Sequence, residues 1–457
     1  MELIEKINTA VNTVVWGPAM LIFLVGVGVV ISFRIKFFQI FGFKIWCKAT
    51  FGSLFSKESR QAEKGKISPF GAMSAALAGA IGTGNIVGVA TAITMGGAGA
   101  IFWMWVAAIF GMATIYAENV LGVMYREKRG DGYVGGPMYY IRNGLHSKVL
   151  AAIFAVMCVL ASVGMGNMTQ SNSVASALSV SFGLSPNIVG IVLTVLVFVI
   201  ILGGVKRITQ LTEKLLPFMA ISFILAALVV IGLHVDRLPS VFSDIITSAF
   251  GANSVAGGFL GYGMSRAVKY GISRGVFSNE AGLGSSPIVH AAADTDSPQT
   301  QGMWGIFQVF MDTIVMCTLT ALCILCTGAD KTGLDGAALG AYAFESCFGS
   351  FGSYFVSLSV VLFGFATLIT WSYFGEKSLE YLTHGRFIIP YRIIYALATY
   401  FGCIMNLRLV WEISDTLNAL MAIPNLIALL FLAGLKCQGL QPFGNPSFGK
   451  RGKAIPK

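Results

Sequence analysis

The chain has 457 residues, of which 55% are apolar and only 11% charged, against roughly 25% charged in an ordinary soluble domain. Thirty-one basic and 21 acidic side chains cannot cover the surface of a soluble protein this apolar, which excludes the soluble, disordered and fibrous classes. The formal net charge of +10 points to nucleic acid only if the basic residues cluster on one surface, and they do not.

A helix needs about 20 mostly apolar residues to cross the hydrocarbon of a bilayer. Eleven such stretches are predicted, at 14–33, 71–95, 99–125, 149–178, 187–205, 214–234, 259–290, 302–327, 353–379, 391–406 and 411–434. They are too long for barrel strands and lack alternation of period two. The first follows Glu2, Glu5 and Lys6 without a small-residue cleavage site, so a retained helix is expected rather than a signal peptide. The fold class is an all-α polytopic membrane protein. Residues 1–35 form an accessory N-terminal helix, 36–69 a basic cytoplasmic loop, 70–435 the core and 436–457 a basic cytoplasmic tail.

With the N-terminus outside, the inside segments 34–69, 126–148, 206–214, 377–392 and the tail hold 24 of the 31 Lys and Arg residues. The outside segments hold Lys6, Arg237, Lys331 and Arg408. This bias orients the chain and disposes of nucleic acid as a partner. Arg266, Lys269 and Arg274 lie inside the seventh stretch. Two readings stand: a crossing at 259–290, or a crossing at 243–262 followed by a cytoplasmic re-entrant segment at 263–295. Cysteines are scattered through apolar runs, and the Cys323/Cys326 pair has no partner cysteines or histidines nearby, so packing is expected rather than a metal site.

Residues 73–84, MSAALAGAIGTG, and 264–275, MSRAVKYGISRG, share Met, Ser, Ala, Ile and Gly at the same offsets. One copy opens the second stretch and the other lies in the seventh. An offset of five crossings reverses membrane direction, which is the arithmetic of an inverted repeat. The core would be two five-helix halves, about 70–235 and 240–435. Both copies run into GTGN at 82–85 and SNEAGLG at 278–284, where closely spaced glycines beside Asn predict unwound backbone. Such backbone is tolerated at membrane depth only where it lines a cavity; there its carbonyls ligate a cation and its N–H groups meet an anion. Two broken helices are therefore expected.

Three acids lie at membrane depth and must be paired, protonated or wet. Glu280 is expected to satisfy loosened backbone N–H groups, Glu118 to brace the same break, and Asp312 to pair with Arg274 or Arg266. His290 is read as a loop residue. The chain has no His-Glu-x-x-His, paired-Asp motif or phosphate loop, which argues against a membrane enzyme or an ATP-driven pump. No ring of like charges suggests a channel.

The run 96–111, GGAGAIFWMWVAAIFG, with GTGN before it and Tyr116-Ala117-Glu118 after it, resembles the alanine or glycine:cation symporter family. GGPMYY at 135–140 and GVFSNEAGLGS at 275–285 add to the resemblance, which spans about 70–430. It implies a sodium- or proton-driven importer of small neutral amino acids in a prokaryotic inner membrane, built from two inverted five-helix repeats and needing no cofactor, with sodium the expected driver. A proton-driven importer using Glu280 or Asp312 is the nearer rival; a passive channel is the further one. The resemblance further implies that a solute carboxylate meets the amides of Thr83 and Gly84 while Gln170 donates to it. The break at Asn279, Glu280, Ala281 and Gly282 closes the other side, and Thr367 and Trp371 supply a hydroxyl and an aromatic wall. Fold analogy places the ion among the carbonyls of Ala78 and Ile81, Asn85, and the hydroxyls of Thr367 and Thr370.

Overall fold

The computed structural model describes residues 2–54, 66–130, 132–250 and 257–435; the 436–457 tail lies outside the described residues. Helices of ten residues or more are numbered here in chain order: α1 Glu2–Val15, α2 Pro18–Arg34, α3 Pro69–Ala80, α4 Val87–Gly96, α5 Gly99–Met124, α6 Lys148–Val163, α7 Gln170–Phe182, α8 Pro186–Ile201, α9 Gly204–Leu233, α10 Leu238–Ala249, α11 Gly257–Asn279, α12 Pro298–Val309, α13 Thr318–Thr327, α14 Gly336–Phe348, α15 Ser350–Thr383, α16 Ile388–Ile404 and α17 Leu407–Leu435. Among the described residues six continuous helical segments are long and apolar enough to cross a membrane, and a seventh if the α1–α2 pair, bent by 42° at residues 16–17, is counted as one span. All eleven predicted stretches are mainly helical.

Two of those stretches are interrupted. The first separates α3 from α4. In the second, α11 stops at Asn279 and helix resumes only over Ser286–His290. Breaks of another kind occur within α6–α7 and α12–α13, where a wide π turn runs over Gly164–Thr169 and Phe310–Cys317. A π turn shifts the side chains that follow it and leaves carbonyls without their usual partners.

Several expectations need correction. Around the seventh stretch, residues 238–249 form α10 and Gly257–Asn279 form α11; both readings, 259–290 and 243–262, include part of α11, and residues 251–256 lie outside the described residues. The shared string at 73–84 and 264–275 is out of register with the breaks. The helix ends at Ile81 in the first copy, whereas the matching Ile272 lies inside α11, seven residues before Asn279. Ser, Ala and Gly recur in membrane helices because they allow close packing, so this string is no guide to equivalence; the repeated feature is a broken helix. Nor are residues 36–54 simply a loop. Phe38–Phe41 and Phe43–Ala49 are short helices exposing Ile40, Phe41, Phe43 and Ile45 beside Lys44 and Lys48, the pattern of segments lying in a membrane surface. A two-stranded ribbon, β1 Glu127–Arg129 and β2 Gly132–Val134, interrupts an otherwise helical chain. Helices α10 and α14 lay in segments read as outside loops. Proline opens the first turn of α10, and the Asp335 side chain caps α14, both helix-start signals.

Close approach of helices is bought by missing side chains. A Cβ on Gly271 of α11 would stand 2.3 Å from the Ala100 carbonyl oxygen of α5. The accessory pair docks on α17: the Trp16 indole N–H donates to the Asp415 carbonyl at 2.8 Å, and the Asn12 amide donates to the Glu412 carbonyl at 3.2 Å. That contact fixes the part of α17 that carries Asp415.

Candidate functional site: two helix breaks in contact

At the first break Ile81 leaves the helix with ψ 87° and Gly82 is extended (φ −124°, ψ −156°), before a single tight turn over Thr83–Asn85. The Gly82 N–H donates to Asn85 Oδ1 at 3.0 Å. The Thr83 N–H and hydroxyl both donate to Gln170 Oε1, at 3.0 and 2.9 Å. Gln170 follows the first π turn, and its Nε2 donates to the Met165 carbonyl at 3.2 Å. In this structure Gln170 thus accepts from the break with its oxygen while its amide donates to its own helix. A Cβ on Gly82 would lie 2.5 Å from Thr367 Oγ1 and 3.0 Å from Gln170 Oε1, so both side chains press on that glycine. Thr367 Oγ1 also donates to the Ala78 carbonyl at 3.1 Å. Thr370 is buried, and its hydroxyl has no hydrogen-bond partner. Asn85 turns away from these threonines: its Nδ2 donates to Asp312 Oδ1 at 2.8 Å.

At the second break Glu280 adopts the left-handed region (φ 62°) at the end of α11, and Gly282 and Gly284 follow with φ of 88° and 84°. A non-glycine residue pays strain there, and the network around Glu280 holds it. The Trp371 indole N–H donates to Glu280 Oε1 at 2.6 Å, and the Ser285 hydroxyl donates to Oε2. The loosened backbone is satisfied by others: the Ala281 N–H donates to Asn279 Oδ1 at 3.0 Å, and the Gly282 N–H donates to Glu118 Oε2 at 3.3 Å. Asn425 of α17 donates to Glu118 and, at 2.9 Å, to the Gly282 carbonyl, while the Tyr140 hydroxyl bonds Asn425. Glu118 is therefore the brace. Glu280 is not, because its side chain leaves the turn sideways toward α15. Trp371 lies so close to the π turn of α6–α7 that a Cβ on Gly166 would meet it at 2.3 Å.

The two breaks touch. A Cβ on Gly84 would be 3.3 Å from the Phe277 ring and 3.4 Å from Ser278 Cα. Thr83, Gly84, Asn85, Gln170, Asn279, Glu280, Ala281, Gly282, Thr367, Thr370 and Trp371 are all buried. At its α17 side the site is roofed by Phe277 stacked on Trp411, centroids 4.8 Å apart and planes at 24°. One turn earlier on α11, Arg274 makes a bidentate pair with Asp415, at 3.0 and 2.5 Å, and lies 4.7 Å from the Trp411 ring centroid.

The partner expected for Asp312 is thereby corrected. Arg274 projects onto α17, and it is Ser278, four residues further along α11, that reaches Asp312, at 3.1 Å. His290 is not in a loop: the helix re-forms after the break, and His290 is fully buried with Nδ1 2.6 Å from Gln301 Oε1. Sequence reasoning missed Asn425, whose signal was a lone amide beside Pro424 in an apolar run. It also missed the Arg274–Asp415 pair and the Phe277–Trp411 stack, which join elements some 140 residues apart. Among the described residues no group of three or more His, Cys, Asp or Glu could hold a metal ion.

Backbone N–H groups, amides, hydroxyls and the carboxylates of Glu118, Glu280 and Asp312 thus come together where the two breaks meet, an arrangement suited to binding a polar solute rather than to bond-breaking chemistry. The sequence pattern of the sodium:alanine symporter family matches residues 1–453. A sodium/alanine symporter of Methanococcus maripaludis is 44% identical, covering 95% of this chain and 96% of that protein. A Bacillus subtilis protein named as a probable sodium/glutamine symporter is 38% identical, covering 97% and 91%. A crystal structure of a manganese transporter of Eremococcus coleocola shares the fold, with a TM-score of 0.52 at 15% identity over 81% of this chain and 78% of that one. This chain belongs to the sodium:alanine symporter family, a family of transporters and not of enzymes.

Proposed function

We propose that this protein couples sodium entry to the uptake of small neutral amino acids, alanine and glycine foremost, by alternating access. It would do so in a prokaryotic inner membrane with its N-terminus outside and its C-terminus in the cytoplasm. Eleven crossings then form an accessory helix at 1–35 and two inverted five-helix halves, 70–235 and 240–435, each opening with a broken helix. The excess of basic residues in the inside segments supports the orientation.

The contact between the two breaks carries the reading. A zwitterion needs dipoles for its carboxylate and a negative group for its ammonium, both away from bulk water. The amides of Thr83 and Gly84 with the Thr367 hydroxyl suit the first, and residues 279–282, with Glu280, suit the second. Solute binding has to displace Gln170 Oε1 from Thr83, after which the Gln170 amide can donate to the carboxylate. Trp371, held by Glu280, leaves little room for a side chain, which favours a small solute. Carbonyls of Ala78 and Ile81 with the hydroxyls of Thr367 and Thr370 suit a sodium ion; the unpartnered Thr370 hydroxyl supports this. Ion binding that orders the first break would strengthen solute binding, and the coupling is reciprocal.

Purified protein in liposomes tests the proposal, with labelled alanine, glycine and glutamine offered under separate sodium and proton gradients. Saturable alanine and glycine uptake under sodium alone is expected. Uptake driven equally by either gradient, or by neither, overturns the assignment. A pair of variants tests the site. Gln170→Ala is expected to weaken alanine binding about tenfold, the value of one lost hydrogen bond to a charged group. Gln170→Glu keeps an acceptor for Thr83 but sets a like charge beside the solute carboxylate, and should bind worse than Gln170→Ala. The reverse order in calorimetric titration would remove Gln170 from the site.

A further inference from the structure

We propose that the cytoplasmic face carries a binding site for a phosphate group, between the β1–β2 ribbon, the short helix Pro137–Gly144 and the end of α15, and that its occupation is felt at the second break. The site lies apart from the solute and ion positions above; only its inside placement and its depth are taken from that reading. An open cavity of about 280 Å³ is lined there by Lys128, Arg129, Arg142, Tyr139, Tyr381 and His384, with Glu127 and Glu380 on its walls. Such a volume, near the lower end of ligand pockets, holds a phosphate on a short stem. Glu380 lies nine residues beyond Trp371 on α15, about 14 Å along the helix axis. From mid-bilayer that distance reaches the headgroups, since half the hydrocarbon is about 15 Å thick.

Charge selects the ligand. The two carboxylates are already held: Glu127 by Arg142 and, at 2.9 Å, by the Asn143 amide, Glu380 by Arg129 at 2.7 Å and by Lys377 at 2.6 Å. Among the described residues Lys128 and His384 make no ion pair. Lys128, Arg129, Arg142 and Lys377 thus outnumber Glu127 and Glu380 by two charges, which matches a phosphate monoester at about −1.5 to −2 near neutral pH. Arg142 is set to receive it. Its guanidinium stands 5.2 and 5.4 Å from the Tyr139 and Tyr381 ring centroids, and aromatic faces hold a guanidinium whose planar fork matches phosphate oxygens. Its present partner, the Glu127 side chain, is 45% exposed, and an ion pair that open contributes little, so an anion can replace it. The same short helix touches the second break. A Cβ on Gly284 would stand 2.6 Å from Pro137 Cγ, and the Tyr140 hydroxyl bonds Asn425, whose amide donates to the Gly282 carbonyl at 2.9 Å. Alternating access moves broken helices against their partner helices. A phosphate that ties this helix to the end of α15 favours the arrangement shown here and slows the cycle.

The test titrates inorganic phosphate and glycerol 3-phosphate into the purified full-length protein in neutral detergent, without alanine. In parallel, the protein is reconstituted in vesicles of phosphatidylcholine alone or of equal parts phosphatidylcholine and phosphatidylglycerol. Saturable binding of glycerol 3-phosphate is expected, weakened about tenfold or more by Arg142→Gln, which removes charge-assisted hydrogen bonds. Lys128→Glu, an exposed change that covers the case in which Arg142→Gln fails to fold, should weaken it about fivefold or more. Glycerol 3-phosphate enclosed in the vesicles should lower alanine uptake about fivefold, and Tyr140→Phe should bind the probe like wild type while losing most of that inhibition. If the soluble probes do not bind, but phosphatidylglycerol slows uptake by wild type and not by either pocket variant, the phosphate belongs to a lipid headgroup. No saturable binding, together with a lipid effect that both variants keep or with no lipid effect, overturns the site. So does equal probe affinity in wild type and both pocket variants. Binding that leaves uptake unchanged removes the link to the second break. Because the titration needs no alanine, a probe bound to a protein that transports none would sink the solute assignment and leave this site standing.

Discussion

Gly82→Ala is expected to cut alanine uptake about ten- to hundredfold, the kinetic equivalent of the roughly 1–3 kcal/mol that overpacking a filled site costs. The backbone at Gly82 is extended (φ −124°), a region any residue adopts, so the effect comes from the methyl group. It would sit 2.5 Å from Thr367 Oγ1 and 3.0 Å from Gln170 Oε1, and both side chains would have to leave the positions that hold the first break. Gly232→Ala on α9, where a Cβ meets nothing within 4 Å, is the control and should transport like wild type. Initial uptake rates in liposomes, normalised to reconstituted protein, decide the matter. A Gly82→Ala protein with wild-type rates would mean that the break does not face the solute.

Asp415→Asn is expected to destabilise the protein by about 3–5 kcal/mol, because removing one partner of a buried ion pair strands the other charge. The Arg274 and Asp415 side chains are 8% and 11% exposed, Arg274 already has Nε without a partner, and among the described residues Asp415 is the carboxylate that pairs with Arg274. The double variant Arg274→Met with Asp415→Leu should recover most of the loss, since apolar residues of similar volume often substitute for a buried pair at little cost. Denaturant midpoints in detergent for the two single variants and the double give the coupling. If Asp415→Asn unfolds at the wild-type midpoint, the pair contributes nothing to stability, and only a role in opening the roof over the site would remain for it.

Local chemistry was legible in the chain. Apolar runs of crossing length gave the helices, because the rule linking run length to bilayer thickness needs no tertiary context. Both breaks could be read from glycines next to Asn and Glu, since unwinding is a property of a few consecutive residues. Gln170 and Thr367 were pointed to by the family resemblance, and both side chains lie against Gly82. The partners were harder. Asp312 and Arg274 looked like a pair from charge alone, yet they lie on different faces of the α11 environment, and a one-turn difference between Arg274 and Ser278 decides which of them meets Asp312. The repeat string misled for a related reason: small residues satisfy a packing rule wherever helices approach closely, so their coincidence says little about which turns are equivalent.

By itself, then, the amino-acid order determined a lipid-embedded helical protein, where its helices run and where two of them come apart. Only the folded chain decided that the breaks lie against each other at Gly84 and Ser278, that Glu280 accepts from Trp371 rather than from the loosened backbone, and that Asp415 takes Arg274 away from Asp312. The division has a physical origin. Hydropathy and backbone propensity act over a few residues and leave their mark in the local sequence, whereas a hydrogen bond such as Thr83 to Gln170 spans 87 positions and depends on helix rotation, on π turns and on where a glycine lets two backbones meet.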